Sequence, residues 1–234
     1  MSNWVITQLL NYLITQLLAD MRFIVHEQPY EKPIAAGRLR YERDGRATGA
    51  VESWRLTQAV EGYEVLRVDL DARPAESEHS YLYHLVRRAD KTPERLSYRF
   101  WGDDLMIEGT VLLEDTVVTN TRTVNGTTYT DDVELEPGYG FWFPSSVGLG
   151  LLAGFGGGTA VTLESVSSEQ LAVSSERVSA FGLQVVAVVV AGERPLTIRW
   201  LENERRIWLD EHGWVVKMRR GDGLTAVETR AIWY

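Results

Sequence analysis

From Met21 onward the chain alternates apolar and polar residues with a period of two, which is the pattern of half-buried β-strands. In the segment 66–71, for example, leucine and valine alternate with arginine and aspartate. Asp44-Gly45 and Asn125-Gly126 each separate two such segments, and both dipeptides are typical of two-residue hairpin turns. The pattern therefore predicts an all-β protein with about a dozen short strands.

The alternation stops at one place, residues 139–158, which read YGFWFPSSVGLGLLAGFGGG and are called the insert below. Pro144 followed by Ser145 and Ser146 predicts the start of a short helix, because proline suits the first helical turn and a serine hydroxyl caps it. Val147, Leu151 and Phe155 recur at helical spacing, with Leu152 beside them, and the glycines 156–158 are expected to end the helix. The insert is either a short helix packed on the open face of a sheet or a movable lid over an apolar pocket.

The remaining pattern indicates how the strands are arranged. Leu183 to Val190 is apolar on both faces, so we expect this strand to lie inside the sheet with the insert over its second face. Long helical crossovers are missing, which favours antiparallel pairing. No domain linker stands out. We therefore predict one domain over residues 21–234, a single large curved antiparallel sheet that forms a half-barrel or β-roll with the helical insert covering its open face.

Residues 1–20 differ from the rest because they contain the tandem repeat ITQLL, with leucines on one helical face. Three interpretations stay open: an amphipathic helix on a membrane or on the domain, a degraded targeting segment, or a non-native extension upstream of a start at Met21. The near-exact repeat and the lack of charge before Asp20 favour the extension. The segment lacks the features of a secretory signal and is too polar to span a bilayer, so we expect a cytoplasmic location.

Composition narrows the function classes. The net charge of −9 argues against a nucleic-acid partner, which requires a basic face. The absence of cysteine removes disulfides, thiol nucleophiles and cysteine-ligated metals. The four histidines have no metal-binding spacing, so we expect no metal site and no cofactor. Membrane contact is not predicted, and the oligomeric state is not indicated.

The order of elements resembles a known family. Many meandering strands are followed by one helical insert and by the run Arg206-Ile207-Trp208-Leu209-Asp210 with Gly213 before the last strands. In this layout the chain resembles the LolA/LppX-like half-barrels and related bacterial families over residues 35–234. The resemblance implies a curved antiparallel sheet around a hydrophobic cavity closed by helices, in which the lipoprotein carriers bind acyl chains. The carriers have signal peptides, and this N-terminus does not resemble one.

The candidate chemistry is sparse. The acidic cluster Asp131, Asp132, Glu134 and Glu136 has the residue types of acid–base catalysis or of a hard-cation site, but its alternation favours a solvated strand face. No nucleophile–base pair and no serine elbow motif occur, so we predict no catalytic residues and a non-enzymatic role.

The aromatic residues are the stronger indication. Large aromatics either fill the interior of a curled sheet or line an apolar pocket. The candidate ligand-binding residues are Tyr81, Tyr83, Phe100, Trp142, Phe143, Leu151, Leu152 and Phe155. The leading hypothesis is non-enzymatic binding of an apolar or amphiphilic, lipid-like ligand in a cavity of the curved sheet. The alternatives are a structural or protein-interaction domain with a filled core and, third, an enzyme that uses the acidic cluster.

Overall fold

The computed structural model describes residues 27–73, 80–102, 105–155, 158–164, 182–190, 195–200 and 203–234. Fifteen strands in this part of the chain form one sheet. The strands are β1 (Lys32–Arg43), β2 (Arg46–Gln58), β3 (Glu64–Asp71), β4 (Ser80–Arg87), β5 (Pro93–Gly102), β6 (Leu105–Leu113), β7 (Val117–Val124), β8 (Thr127–Glu134), β9 (Gly140–Trp142), β10 (Gly158–Glu164), β11 (Gly182–Val190), β12 (Leu196–Trp200), β13 (Asn203–Leu209), β14 (Val215–Arg220) and β15 (Leu224–Trp233).

In the described part of the chain, helical structure is limited to short segments. The insert contains one α-helical turn, α1 (Ser146–Leu149), which continues as a 3₁₀ segment, Gly150–Gly154. A further 3₁₀ turn, Val60–Gly62, joins β2 to β3. The predicted fold class, an all-β protein with one large antiparallel sheet and a short helical insert, is confirmed.

The strand order is that of two meanders placed side by side. One half runs from β8 at one edge to β1, and the other half runs from β15 to β9 at the opposite edge. The halves join through the pairing of β1 with β15, for example Tyr41 with Ala226. The ladders are antiparallel except at the second edge, where β9 pairs with β10 in parallel, as in Phe141 with Val161. This pairing departs from the prediction of purely antiparallel neighbours, because β9 reaches its partner through the insert rather than through a hairpin.

The sheet must curve strongly. Fifteen flat strands would be about 65 Å wide at a spacing of about 4.8 Å. Yet β8 ends at Glu134 and β9 begins at Gly140 on the opposite edge, and a chain of this length reaches only about 20 Å. Strand β8 accordingly approaches β11. Among the described residues β8 and β9 share no ladder, so the sheet is curled but is not closed into a barrel.

Curling turns one face of the sheet inward, and this face carries the core. Leu39, Leu66, Leu85 and Ile107 are fully buried and belong to strands of the first half. Residues of the second half and of the insert pack against them in one continuous cluster. The rings of Trp54 on β2 and of Trp214 before β14 stack at a centroid distance of 4.5 Å and so join the two halves.

Candidate functional site

The insert begins with a serine-capped helical turn as its sequence predicts, although Pro144 precedes the N-cap and does not lie in the first turn. Ser145 is the N-cap of α1, has extended backbone angles, and accepts a hydrogen bond from the Gly148 amide at 2.8 Å. A Cβ atom on Gly148 would lie 2.2 Å from the carbonyl oxygen of Phe143, so the chain can fold back this tightly only at a glycine. The predicted capping role of serine is confirmed.

The apolar face of the insert differs from the prediction. In the 3₁₀ segment side chains three residues apart share a face, so Leu149 and Leu152 are buried while Leu151 and Phe155 are half-buried. The helical periodicity predicted from Val147, Leu151 and Phe155 therefore does not continue past Leu149, where the 3₁₀ segment follows. The 3₁₀ segment ends at Gly154, just before the glycines 156–158, of which Gly158 begins β10 and the other two lie outside the described residues.

A group of polar side chains lies under the start of the insert, and it is called the Glu52 cluster below. The Glu52 side chain of β2 is completely buried and accepts hydrogen bonds from the backbone amides of Ser146 at 3.0 Å and of Val147 at 2.8 Å. The Tyr41 hydroxyl of β1 also donates to Glu52 and lies 2.8 Å from the Ser146 hydroxyl. The two orphan amides at the start of α1 are thus satisfied by one carboxylate from the sheet.

Burial dominates the electrostatics of this cluster. It raises the pKa of Glu52, although the hydrogen bonds from Tyr41, Val147 and Ser146 act in the opposite direction. Burial, followed by the charge of Glu52, also raises the pKa of Tyr41 well above its ordinary value. Perturbed ionisable groups of this kind mark candidate functional sites.

The structure brings four of the predicted ligand-binding aromatics together on the inner face. The ring of Tyr83 lies 4.5 Å from that of Phe143 and 5.9 Å from that of Tyr81, and the ring of Tyr81 lies 5.1 Å from that of Phe100. Tyr83, Phe100 and Phe143 are buried, whereas Tyr81 is half-buried. The Tyr83 hydroxyl donates to the carbonyl of Pro144 at 3.4 Å, so this aromatic group adjoins the Glu52 cluster.

The other predicted residues lie around β9. Trp142 is fully buried, with the guanidinium group of Arg205 4.8 Å from its ring centroid. Leu152 and Phe155 pack over Gly140, where a Cβ atom would lie 2.8 Å from the Leu152 side chain. Leu151 and Phe155 form a half-buried apolar rim of the insert.

Several buried donors of the interior lack an acceptor. Among the described residues, Trp54 Nε1, Trp142 Nε1 and Asn120 Nδ2 have no hydrogen-bond partner. A buried donor left unsatisfied costs about 1–3 kcal/mol. The interior of the curled sheet therefore contains N–H groups that an acceptor beyond the described residues could satisfy.

A second buried carboxylate lies on the outward face of the sheet, in what is called the Arg67 cluster below. Arg67 of β3 makes a two-pronged ion pair with Glu31, at 2.7 Å and 2.8 Å, and donates to the Thr57 hydroxyl at 3.0 Å. Both charged side chains are less than a tenth exposed. Burial alone raises the pKa of Glu31, but the hydrogen bonds from Arg67 and Thr57 lower it to about 2.

The acidic cluster of the sequence does not form a site. Asp131 makes an ion pair with Arg122, while Asp132 and Glu134 are exposed on β8. The part of the chain that the structure describes holds no group of three side chains suited to a metal ion. Asp210, from the run that carries the resemblance, accepts from the amides of His212 at 2.9 Å and Trp214 at 2.8 Å and so closes the turn between β13 and β14.

Sequence reasoning missed the Glu52 cluster, although one indication was present. Glu52 alternates with Ala50, Trp54 and Leu56, and this spacing places it on the apolar face of β2. An acid at such a position needs buried partners. Its partners, however, lie 94 and 95 residues further along the chain, where no local pattern points to them.

No family model matches the chain, and no curated protein or solved structure matches it significantly. Within the described residues, no helix has the length and apolar character needed to cross a bilayer.

Proposed function

We propose that this protein is a non-enzymatic binder of an apolar or amphiphilic, lipid-like ligand, which it takes up between the insert and the inner face of the curved sheet. In this proposal the sheet acts as a half-barrel and the segment Phe141 to Phe155 is its cover. The resemblance to the LolA/LppX-like half-barrels, which is one of layout, agrees with this proposal. The ligand would contact Tyr81, Tyr83, Phe100 and Phe143.

The observation that carries the proposal is the unsatisfied indole N–H of Trp142. Trp142 is fully buried next to the insert, its Nε1 has no acceptor among the described residues, and a guanidinium group lies over its ring. A ligand headgroup with carbonyl or carboxylate oxygens would accept a hydrogen bond from this N–H group in an apolar environment. Such a ligand combines an apolar chain with one acceptor, which is the chemistry of a fatty acid or a related lipid.

The way in which the insert is attached is compatible with opening. Over residues 143–155, which follow β9, the insert is held by apolar packing and by the Glu52 cluster rather than by a strand ladder. Exposing Val147, Leu149 and Leu152 would cost about 1.5–3 kcal/mol each. An acyl chain that covers the same surface restores this burial, so ligand and insert compete for one apolar surface.

The second candidate is a structural or protein-interaction domain with a filled core. Complete burial of Trp142, Phe143 and Leu152 favours it, because these side chains fill the room beneath the insert when the insert lies on the sheet. In this case the insert is part of the core and does not move.

Extraction of the purified protein with organic solvent, followed by mass spectrometry, tests the two candidates. The binding candidate predicts that the extract contains a stoichiometric amount of lipid, or that the extracted protein takes up parinaric acid, a fluorescent fatty acid, in a saturable way. A clean extract together with no uptake of parinaric acid overturns the binding proposal and leaves the filled-core domain.

Variants of the insert test whether the ligand binds beneath it. Leu151→Asp places a charge at the half-buried rim and Leu152→Asp places one under the insert, and both are expected to abolish uptake. Leu112→Asp, on an exposed outward position of β6, is the matched control. Uptake that survives both insert variants shows that the assigned pocket is wrong.

Trp142→Phe removes the N–H group and keeps most of the ring. We expect it to weaken parinaric acid binding about tenfold, the equivalent of one hydrogen bond to a charged group. The same change at the exposed Trp233 serves as its control.

A further inference from the structure

A groove with a volume of about 450 Å³ crosses strands β4 to β7 on the outward face of the sheet, away from the insert. Two adjacent cross-strand rows form most of its floor. One row consists of His84, Ser97, Thr110 and Thr121, and the other consists of Leu82, Arg99, Glu108 and Thr123. The volume lies in the range of small-molecule sites, about 300–1,000 Å³.

Hydroxyl groups dominate the polar part of the groove. Ser97, Thr110 and Thr123 are half-buried, and Thr121 is exposed. Each hydroxyl can both donate and accept a hydrogen bond. The array continues onto β8, where Thr130 lies 3.3 Å from Thr121. The hydroxyls of Thr123 and Thr128 lie 3.2 Å apart in the same way, so hydrogen bonds to β8 orient the two threonines that β7 contributes to the array.

The groove offers little net charge. Arg99 and Glu108 face each other across β5 and β6 at 3.3 Å, and so they neutralise one another. Burial, and then the charge of Arg67, lowers the pKa of His84 to about 4, so this imidazole is neutral at pH 7. A ligand with a large charge of either sign therefore gains little attraction here.

Apolar surface lies at one end of the same groove. Leu82 is 9% exposed and contributes to the lining. Trp101 follows Arg99 at i+2 and pairs with Met106, so it lies on the same outward face directly beyond the second row. Trp101 is half-buried and Met106 is exposed. The indole ring beside an array of hydroxyls suits a ligand that has apolar C–H faces and many hydroxyl groups.

These observations disfavour two other common ligand classes. A phosphate or nucleotide needs excess positive charge, and a metal ion needs several carboxylate or imidazole ligands. We propose that the groove across β4 to β7 binds a neutral oligosaccharide, whose hydroxyls bond to Ser97, Thr110, Thr121 and the Arg99–Glu108 pair and whose ring face packs on Trp101. This site lies on the opposite face of the sheet from the proposed lipid site and does not depend on it.

Titration with neutral and charged disaccharides tests the proposal on the full chain. The neutral probes are maltose, cellobiose and diacetylchitobiose, and the charged probe is a sulfated heparin disaccharide. Heteronuclear NMR shifts of the indole N–H signals and calorimetry report binding. We expect saturable binding of at least one neutral probe, with the Trp101 signal among those that shift. Absence of binding by all neutral probes at millimolar concentration, or binding of the sulfated probe alone, overturns the proposal.

Two matched pairs of variants locate the binding. Ser97→Tyr fills the middle of the groove and is expected to reduce affinity at least tenfold, whereas Arg95→Tyr, two residues earlier on the same face, leaves it unchanged. Thr110→Val removes one hydroxyl at constant shape and is expected to weaken binding about three- to tenfold, and Thr119→Val on β7 is its control. Circular dichroism confirms that each variant is folded. Equal affinity in Ser97→Tyr and Arg95→Tyr contradicts the assigned site, and parinaric acid uptake is expected to be the same in both.

Discussion

Two glutamates, Glu52 and Glu31, are held in the same sheet in opposite ways. Glu52 lies on the inner face and receives hydrogen bonds from two backbone amides and one phenol, none of which carries a charge. Glu31 lies against the outward face and is paired with the guanidinium group of Arg67 through both of its oxygens. The pKa of the first is raised, and that of the second is lowered to about 2.

The difference shows that burial alone does not determine the behaviour of a carboxylate. Desolvation raises the pKa in both cases, and at Glu31 the hydrogen bonds from the charged Arg67 and from Thr57 overcome it. The Arg67 cluster is therefore a rigid ion pair that fixes the residues before β1 onto the sheet. The Glu52 cluster is a weaker attachment, whose strength depends on the protonation state of one group. It joins the sheet to the element that we propose to be a cover.

The largest expected effect comes from breaking the ion pair. Arg67→Met leaves the Glu31 carboxylate without its charged partner, and loss of one member of a buried pair costs about 3–5 kcal/mol. We expect the lower end, about 3 kcal/mol, because Glu31 precedes β1 and can turn towards water. Urea denaturation measures the change. Arg55→Met, at the exposed cross-strand neighbour of Arg67, is the control and should change stability by less than about 0.5 kcal/mol.

A smaller effect is expected from Glu52→Gln. The amide group has one acceptor oxygen, so its NH₂ group must face either a backbone amide or the Tyr41 hydroxyl, and we expect a loss of about 2 kcal/mol. The same variant should take up parinaric acid faster than the wild type, because the insert is held less firmly. Unchanged uptake kinetics combined with the expected loss of stability would show that the cluster has a structural role only. Glu134→Gln, on the exposed side of β8, is the control.

The smallest expected effect is the change in the free energy of unfolding with pH that the two carboxylates cause. Since the folded pKa of Glu31 is depressed to about 2, its contribution to stability is present above the ordinary value of 4.5 and is lost as the pH falls through 2. Since the folded pKa of Glu52 is raised, its contribution is complete below 4.5 and is lost as the pH rises through the folded value. Together these two groups favour the folded state most near pH 4.5.

Urea denaturation midpoints of the wild type, of Glu31→Gln and of Glu52→Gln, measured from pH 2 to pH 8, separate the contributions of the two carboxylates. The difference in midpoint between the wild type and Glu31→Gln should grow between pH 2 and pH 4.5. The difference in midpoint between the wild type and Glu52→Gln should shrink above pH 4.5. A difference curve for Glu52 with the same slope as that for Glu31 would contradict the assigned direction of its pKa shift.

The strands could be predicted from the sequence because their causes are local. Asp44, Gly45, Asn125 and Gly126 all have positive φ angles, as the predicted two-residue hairpin turns require. The alternation from Leu66 to Asp71 likewise specifies which side chains face inward. Such features depend on neighbouring residues only, and a single sequence contains them.

The strand order and the site could not be predicted in the same way. The pairing of β1 with β15 and the contact of Glu52 with the insert join residues that are far apart in the chain. The helical spacing of Val147, Leu151 and Phe155 predicted an α-helix. Tight packing at Gly148 and Gly150 instead accompanies a change to 3₁₀ geometry, which buries Leu149 and Leu152. The predictions for residues 1–20 and for the second face of Leu183 to Val190 lie outside the residues or side chains that the structure describes.

The pairing of β1 with β15 at the middle of the sheet also has a consequence for the order of folding. Thr229 donates to the carbonyl of Arg38 across 191 residues of sequence, whereas the ladders from β2 to β8 join neighbours in the chain. Loop closure over such a distance is entropically costly, and long-range pairing slows folding. The meander of the first half can therefore form while the chain is still being synthesised, but β1 keeps one unpaired edge until Leu224 to Trp233 has been made. Until then the centre of the finished sheet is an exposed strand edge, which is the part of the nascent protein most open to chaperones and to aggregation.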